Sequence, residues 1–235
     1  MPVITGPDNL FALPELAPLL AEELARLPAH ARSRPVGRAL LLQPLLGCEG
    51  PRADTRHLLS LRLQVGPGGL SGDVACQPDA LPFEDDAFQL VLAQHAGDAC
   101  DAPGGFIDEL ARVLAPGGVL LWFGLNPWSP WLAWAHWQAR HGRPLPHVLH
   151  AERARRELAR HGLVPDAVEH LGSCWPWRRN TDAQAGNALL APLRSAYQIT
   201  ASKQRAVLTP LRRPVRRERL AMPPPLAAPS RRACA

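Results

Sequence analysis

Apolar residues recur at two different spacings along the chain, and each change of spacing marks an element. Between Leu10 and Leu27 they return every three or four positions, with Leu16, Leu19, Leu20, Leu24 and Leu27 on one stripe, which predicts an amphipathic helix. Asp8 or Asn9 can cap it, and Pro14 and Pro18 predict a kink or a split. Residues 39–46 (Ala-Leu-Leu-Leu-Gln-Pro-Leu-Leu) are instead a short continuous apolar run ended by Gly47, the pattern of a strand buried on both faces. Further strands are predicted over 58–65, 72–76 and 88–93. Phe106, Ile107, Leu110, Val113 and Leu114 restore helical spacing, Ala115-Pro116-Gly117-Gly118 stops that helix, and 119–123 reads as a fifth strand. Beyond it lie a charged helix over 151–161, a strand over 164–171, a short helix over 188–193 and a final strand over 196–202. Strands alternating with helices over short connections predict an α/β fold.

Composition narrows this reading without changing it. At 235 residues the chain suits one large domain or one domain with an appendage. Its 26 prolines disfavour a long helical bundle, because an interior proline removes a backbone hydrogen bond and clashes with the preceding turn. The net charge is +5, yet residues 203–235 alone hold nine basic residues and one acid, which leaves the body mildly acidic. That Arg- and Pro-rich end, over 211–235, is expected to be a disordered tail with weak affinity for polyanions; no aromatic is interleaved among its arginines, so no specific nucleic-acid binding is expected. Five widely spaced cysteines, none in a Cys-x-x-Cys pair, indicate neither a disulfide framework nor a zinc site. No basic-then-apolar leader and no apolar run of membrane-spanning length is present, so a cytoplasmic protein without a transmembrane segment is expected.

One ordered set of motifs is more specific. Asp79-Ala80-Leu81-Pro82-Phe83-Glu84-Asp85-Asp86 precedes the 88–93 strand; Glu109-Leu110-Ala111-Arg112-Val113-Leu114 and Pro116-Gly117-Gly118 follow it. This set resembles class I S-adenosylmethionine-dependent methyltransferases of the small-molecule type. The turn Asn126-Pro127-Trp128-Ser129 is similar to that of a bacterial subgroup whose glycine-rich loop is eroded. The resemblance implies a Rossmann-like fold over 38–210, preceded by a helical segment over 1–37. Its sheet would be seven-stranded and mostly parallel, with helices on both faces and an antiparallel last strand. Ligands bind such sheets beyond the carboxyl ends of the strands.

The same resemblance implies S-adenosylmethionine as cofactor, lying across Gln43, Leu45 and Gly47, the turn Gln77, Pro78, Asp79, Ala80 and Leu81, and Gln94 with His95. Several of these depart from the family pattern. Gln43 stands for an acid, Leu45 for a glycine and Gln77 for the adenine-binding acid, and the second strand ends at Gln64-Val65-Gly66 without a carboxylate. A neutral amide still accepts a hydrogen bond, at a loss of about 1.5 to 3 kcal/mol where the bond had been charge-assisted.

His95 is the candidate general base, or else an ordinary residue at a helix start. Trp128, Trp131, Trp134 and Trp137 recur every third residue. Trp128, Trp131 and Trp134 are candidates for an apolar lid over a small-molecule acceptor or a membrane-interface contact, or else pack a helix on the sheet. No metal site is expected from His136, His141, His147 and His150, which have no carboxylate or cysteine at ligand spacing. Two functions remain: methyl transfer to a small, apolar acceptor, or a catalytically inactive scaffold that keeps the fold.

Overall fold

The computed structural model describes residues 9–45, 58–66, 68–99, 103–143, 145–176 and 188–204. The N-terminal stripe forms a 3-10 turn, Leu10–Ala12, and helix α1, Ala17–Arg32. Asn9 caps the turn, its side chain accepting from the Phe11 amide at 2.9 Å, and Asp8 lies outside the described residues. The split falls at Pro14, within residues 13–16, and Pro18 sits in the first turn of α1, where a missing N–H is harmless. The remaining elements are β1 (Gly37–Gln43), β2 (Leu58–Gly66), β3 (Gly69–Gly72), β4 (Phe88–Gln94), α2 (Ala96–Ala99), α3 (Pro103–Val113) and β5 (Leu114–Leu125). They continue with α4 (Pro130–Ala139), α5 (Ala151–Arg160), β6 (Leu163–Pro165), β7 (Glu169–Leu171), a 3-10 helix over Ala188–Leu193, where the sequence predicts a short helix, and β8 (Ala196–Lys203).

Strands lie in the order β3-β2-β1-β4-β5-β8-β6, with β7 also on β8. β1 pairs in parallel with β2 and β4, β4 in parallel with β5, and β8 runs antiparallel to β5. The single strand expected over 164–171 is two short ones: β6 and β7 pair with opposite ends of β8, interrupted where the Asp166 amide donates to Thr200 O at 2.7 Å. They share one position, so the sheet is seven strands wide.

The third strand departs from expectation. It covers 69–72 rather than 72–76 and is antiparallel to β2, with Gly66 opposite Gly69. Two residues cannot make a crossover, which needs a dozen or more, so the chain folds straight back as a hairpin. Gly72 carries φ +140°, and a side chain there would run into the Arg62 carbonyl. The Pro-Gly-Gly stop also lies inside β5, as a register shift against β4 between Phe88 and Leu90, with Gly117 at φ +81°.

Alternate residues of the central strands bury into different layers. Leu40, Leu42, Val91, Ala93, Leu120 and Trp122 face Phe106 and Leu110 of α3 and Leu158 of α5. Ala39, Leu41, Leu90, Leu92, Leu121 and Phe123 face α1, together with Trp131 and Trp134 of α4. Helices therefore cover both faces, which is why the strand sequences read as continuous apolar runs. The carboxyl ends of β1, β2 and β4 open at one edge, where the buried polar residues collect.

Candidate functional site

Three glutamines lie at or near the carboxyl ends of three neighbouring strands. Gln43 lies opposite Gln64 in the β1–β2 register, and its Nε2 is 3.4 Å from Gln94 Oε1 at the end of β4. All three are buried. The orientation of Gln94 is fixed from α1: its Nε2 donates to Glu23 Oε2 at 2.8 Å and to Leu20 O at 3.1 Å. Both are acceptors, so the Gln94 carbonyl must face Gln43, and Gln43 must answer with its amide. Gln64 donates its Nε2 to Pro44 O at 3.3 Å, and its Oε1 is buried with no hydrogen-bond partner among the described residues. A buried unmet acceptor costs about 1–3 kcal/mol and is uncommon.

Glu23 makes a second contact. Its Oε1 lies 2.9 Å from His95 Nε2, while His95 Nδ1 lies 2.8 Å from Asp98 Oδ2. Asp98 Oδ2 also accepts from the Leu125 amide at 2.8 Å, and Phe11 stacks on the imidazole at 4.8 Å. His95 is fully buried with φ +49°, which turns the chain sharply out of β4. Burial alone would lower its pKa, but the Glu23 charge and the hydrogen bonds to Asp98 and Glu23 outweigh it and push the value up to about 10. Burial raises the Asp98 carboxyl despite its bond to His95. His95 is therefore an imidazolium at neutral pH with both nitrogens donated, which leaves no lone pair for the role of general base. The sequence signal for this cluster was Glu23, an acid standing within the apolar stripe of α1.

The turn expected at the adenine is held from α3. Glu109 Oε2 accepts the Leu81 amide at 2.8 Å, and Arg112 donates to Leu81 O at 2.9 Å, Phe83 O at 2.8 Å and Asp85 Oδ1 at 2.6 Å. Arg112 draws the Glu109 carboxyl below the usual carboxylate range. Within the turn, Gln77 pairs with Ala80 as an isolated bridge around Pro78 and Asp79. Glu109 and Arg112 thus serve this turn, a role their place in the motif did not reveal.

The structure brings Gln43, Gln94 and His95 together and adds Glu23, Gln64 and Asp98. Leu45 turns its side chain against the α1 cluster. Gly47 lies outside the described residues, as does the 211–235 tail. The tryptophans separate. Trp131 and Trp134 are buried edge to face at 5.3 Å, and the Trp131 Nε1 donates to Ser173 O at 3.0 Å. They line a small apolar cavity with Leu10, Leu16, Leu125 and Ala135. Trp128 is 72 % exposed and takes no part in it. No group of three His, Cys, Asp or Glu suited to a metal occurs among the described residues.

A family model described as a methyltransferase domain matches residues 62–122, from β2 into β5. Among solved structures, the chain is similar to a putative S-adenosylmethionine-dependent methyltransferase from Listeria monocytogenes, with TM-score 0.55, 14% identity, and coverage of 79% of this chain and 100% of that one. It is equally similar to a methyltransferase from Archaeoglobus fulgidus, with TM-score 0.55, 14% identity, and coverage of 80% and 94%. One from Mesorhizobium loti gives TM-score 0.51, 18% identity, and coverage of 78% and 100%. No curated protein matches in sequence. The architecture is the Rossmann-like class I methyltransferase fold.

Proposed function

We propose that the chain binds S-adenosylmethionine beyond the carboxyl ends of β1, β2 and β4 and directs methyl transfer to a small, apolar acceptor, as a member of the subgroup with the Asn126-Pro127-Trp128-Ser129 turn. The observation that carries this reading is the Oε1 of Gln64, unpartnered among the described residues, a buried acceptor near the carboxyl end of β2, where the fold family receives ribose hydroxyls. A hydroxyl donor meets its need without a charge. Leu45 offers no obstruction, since its side chain packs against the α1 cluster.

When bound, the cofactor supplies an electrophilic methyl group on a sulfonium. The chain's own contribution is binding and orientation. Gln43 and Gln64 present acceptors, the Gln77–Leu81 turn takes the adenine edge, and the apolar walls of Trp131 and Trp134 exclude water from the acceptor. With His95 held as an imidazolium, transfer rests on positioning and desolvation, which suits an acceptor that needs no proton removed beforehand. Calorimetric titration of the full chain with S-adenosylhomocysteine tests the reading. Saturable one-to-one binding is expected; no heat up to millimolar ligand would overturn it in favour of an inactive scaffold.

A further inference from the structure

Trp128 is 72 % exposed and Trp137 53 %, although Trp131 and Trp134 beside them are buried. A third indole, Trp175, is 48 % exposed, and Leu190 and Leu193 are exposed as well. Hydrogen bonds gather most of these around the turn that leaves β5. Asn126 Nδ2 donates to Pro192 O at 2.7 Å and Arg194 O at 2.8 Å, and Cys174 Sγ lies 3.8 Å from Leu190 O. Trp131 in turn bonds Ser173, two residues before Trp175. Trp137 stands on the solvent side of α4 with His136 and Arg140. Trp128, Trp175, Leu190 and Leu193 therefore gather where β5 ends, beside the cavity lined by Trp131 and Trp134, while Trp137 is exposed farther along α4.

Charge selects its partner. From Asn126 to His150 the chain contains four tryptophans, Arg140, Arg143 and four histidines, with no Asp or Glu. Exposed indoles in a segment that carries cations and no acids match a lipid headgroup layer, where the rings lie between acyl chain and water and guanidinium groups meet phosphates. No described helix is long and apolar enough to cross a membrane, so such contact is peripheral. We propose that this end of the molecule docks on an anionic bilayer, with Trp128, Trp137 and Trp175 entering the headgroup region and the exposed Arg140 meeting lipid phosphates. Docking goes beyond the methyl-transfer reading and needs no cofactor; if both hold, the apolar acceptor reaches the site from the membrane.

The basic tail would also attract anionic vesicles, but it contains no tryptophan, so indole fluorescence isolates the patch. The full chain is titrated with phosphatidylcholine vesicles with and without phosphatidylglycerol, their acyl chains brominated to quench inserted indoles. Quenching by the anionic vesicles is expected. In W128A/W137A the residual quenching should be small and the vesicle affinity at least about tenfold weaker, with an unchanged melting temperature because both side chains are exposed. Co-sedimentation without quenching would assign binding to the tail and overturn the proposal. So would equal quenching by uncharged vesicles, unaltered quenching in the double variant, or preferential binding of a single-stranded oligonucleotide at the same indoles.

Discussion

Glu23 Oε1 and His95 Nε2 meet at 2.9 Å, fully buried and 72 residues apart in sequence. The contact ties α1 to the end of β4, and through the other Glu23 oxygen it sets the orientation of Gln94 and hence of Gln43. One carboxylate thus stabilises the buried imidazolium and orders the strand-end amides.

Glu23→Ala should therefore cost stability far beyond a surface change. It strands a buried imidazolium beside Asp98 alone, and breaking a buried pair costs about 3–5 kcal/mol. Urea denaturation measures the loss, and a value under about 1 kcal/mol would show the contact to be dispensable.

The same cluster makes stability pH-dependent. The folded His95 pKa of about 10 lies above its unfolded value of 6.5, so its contribution is complete below 6.5 and declines as pH rises toward 10. The slope is at most about 1.4 kcal/mol per pH unit. Denaturation midpoints of wild type should fall from pH 7 to 9.5, and those of His95→Gln should be flatter; parallel curves would contradict the assignment.

Gln64→Leu separates binding from folding. Pro44 O keeps its bond from Asn9 Nδ2 at 2.9 Å, and an unmet buried acceptor disappears, so stability should hold or rise. The affinity for S-adenosylhomocysteine should fall about tenfold, the equivalent of one hydrogen bond left unmade. Unchanged affinity in calorimetry would remove Gln64 from the site.

Arg112→Lys should not rescue Arg112→Ala. The guanidinium bonds two carbonyls and two carboxylates at once, a fork that an ammonium cannot reproduce. Faster amide exchange at Leu81 and Phe83 in both variants is the expected result; protection restored by lysine would argue for charge alone.

Trp134→Ala should cost about 3–5 kcal/mol through the cavity it leaves, whereas Trp128→Ala should cost almost nothing. Thermal or urea unfolding of the pair compares them directly, and equal losses would contradict the observed burial.

Much of the architecture was written in local pattern. The leucine stripe of α1, the apolar runs of β1, β4 and β5 and the glycine after α5 each act through neighbours within a few residues, and sequence alone determined those elements, with boundaries misplaced by a few positions. The motif from Leu81 to Gly118 likewise pointed to the fold, because its turn, helix and strand are consecutive. β3 falls at 69–72 rather than 72–76 because the turn between Gly66 and Gly69 leaves no length for a crossover and pairs the chain straight back on β2.

The polar site was decided by tertiary structure. In the sequence His95 is a candidate base or an ordinary residue at a helix start; Glu23, brought from α1, makes it a buried imidazolium. Four tryptophans at one spacing looked equivalent until the sheet face buried Trp131 and Trp134 and left Trp128 and Trp137 in solvent. Helical and strand periodicity is a short-range property of the backbone, so the sequence could determine elements and their apolar faces. Protonation, amide orientation and exposure depend on which distant side chains arrive within about 3 Å, and only the packed sheet and helices determine that.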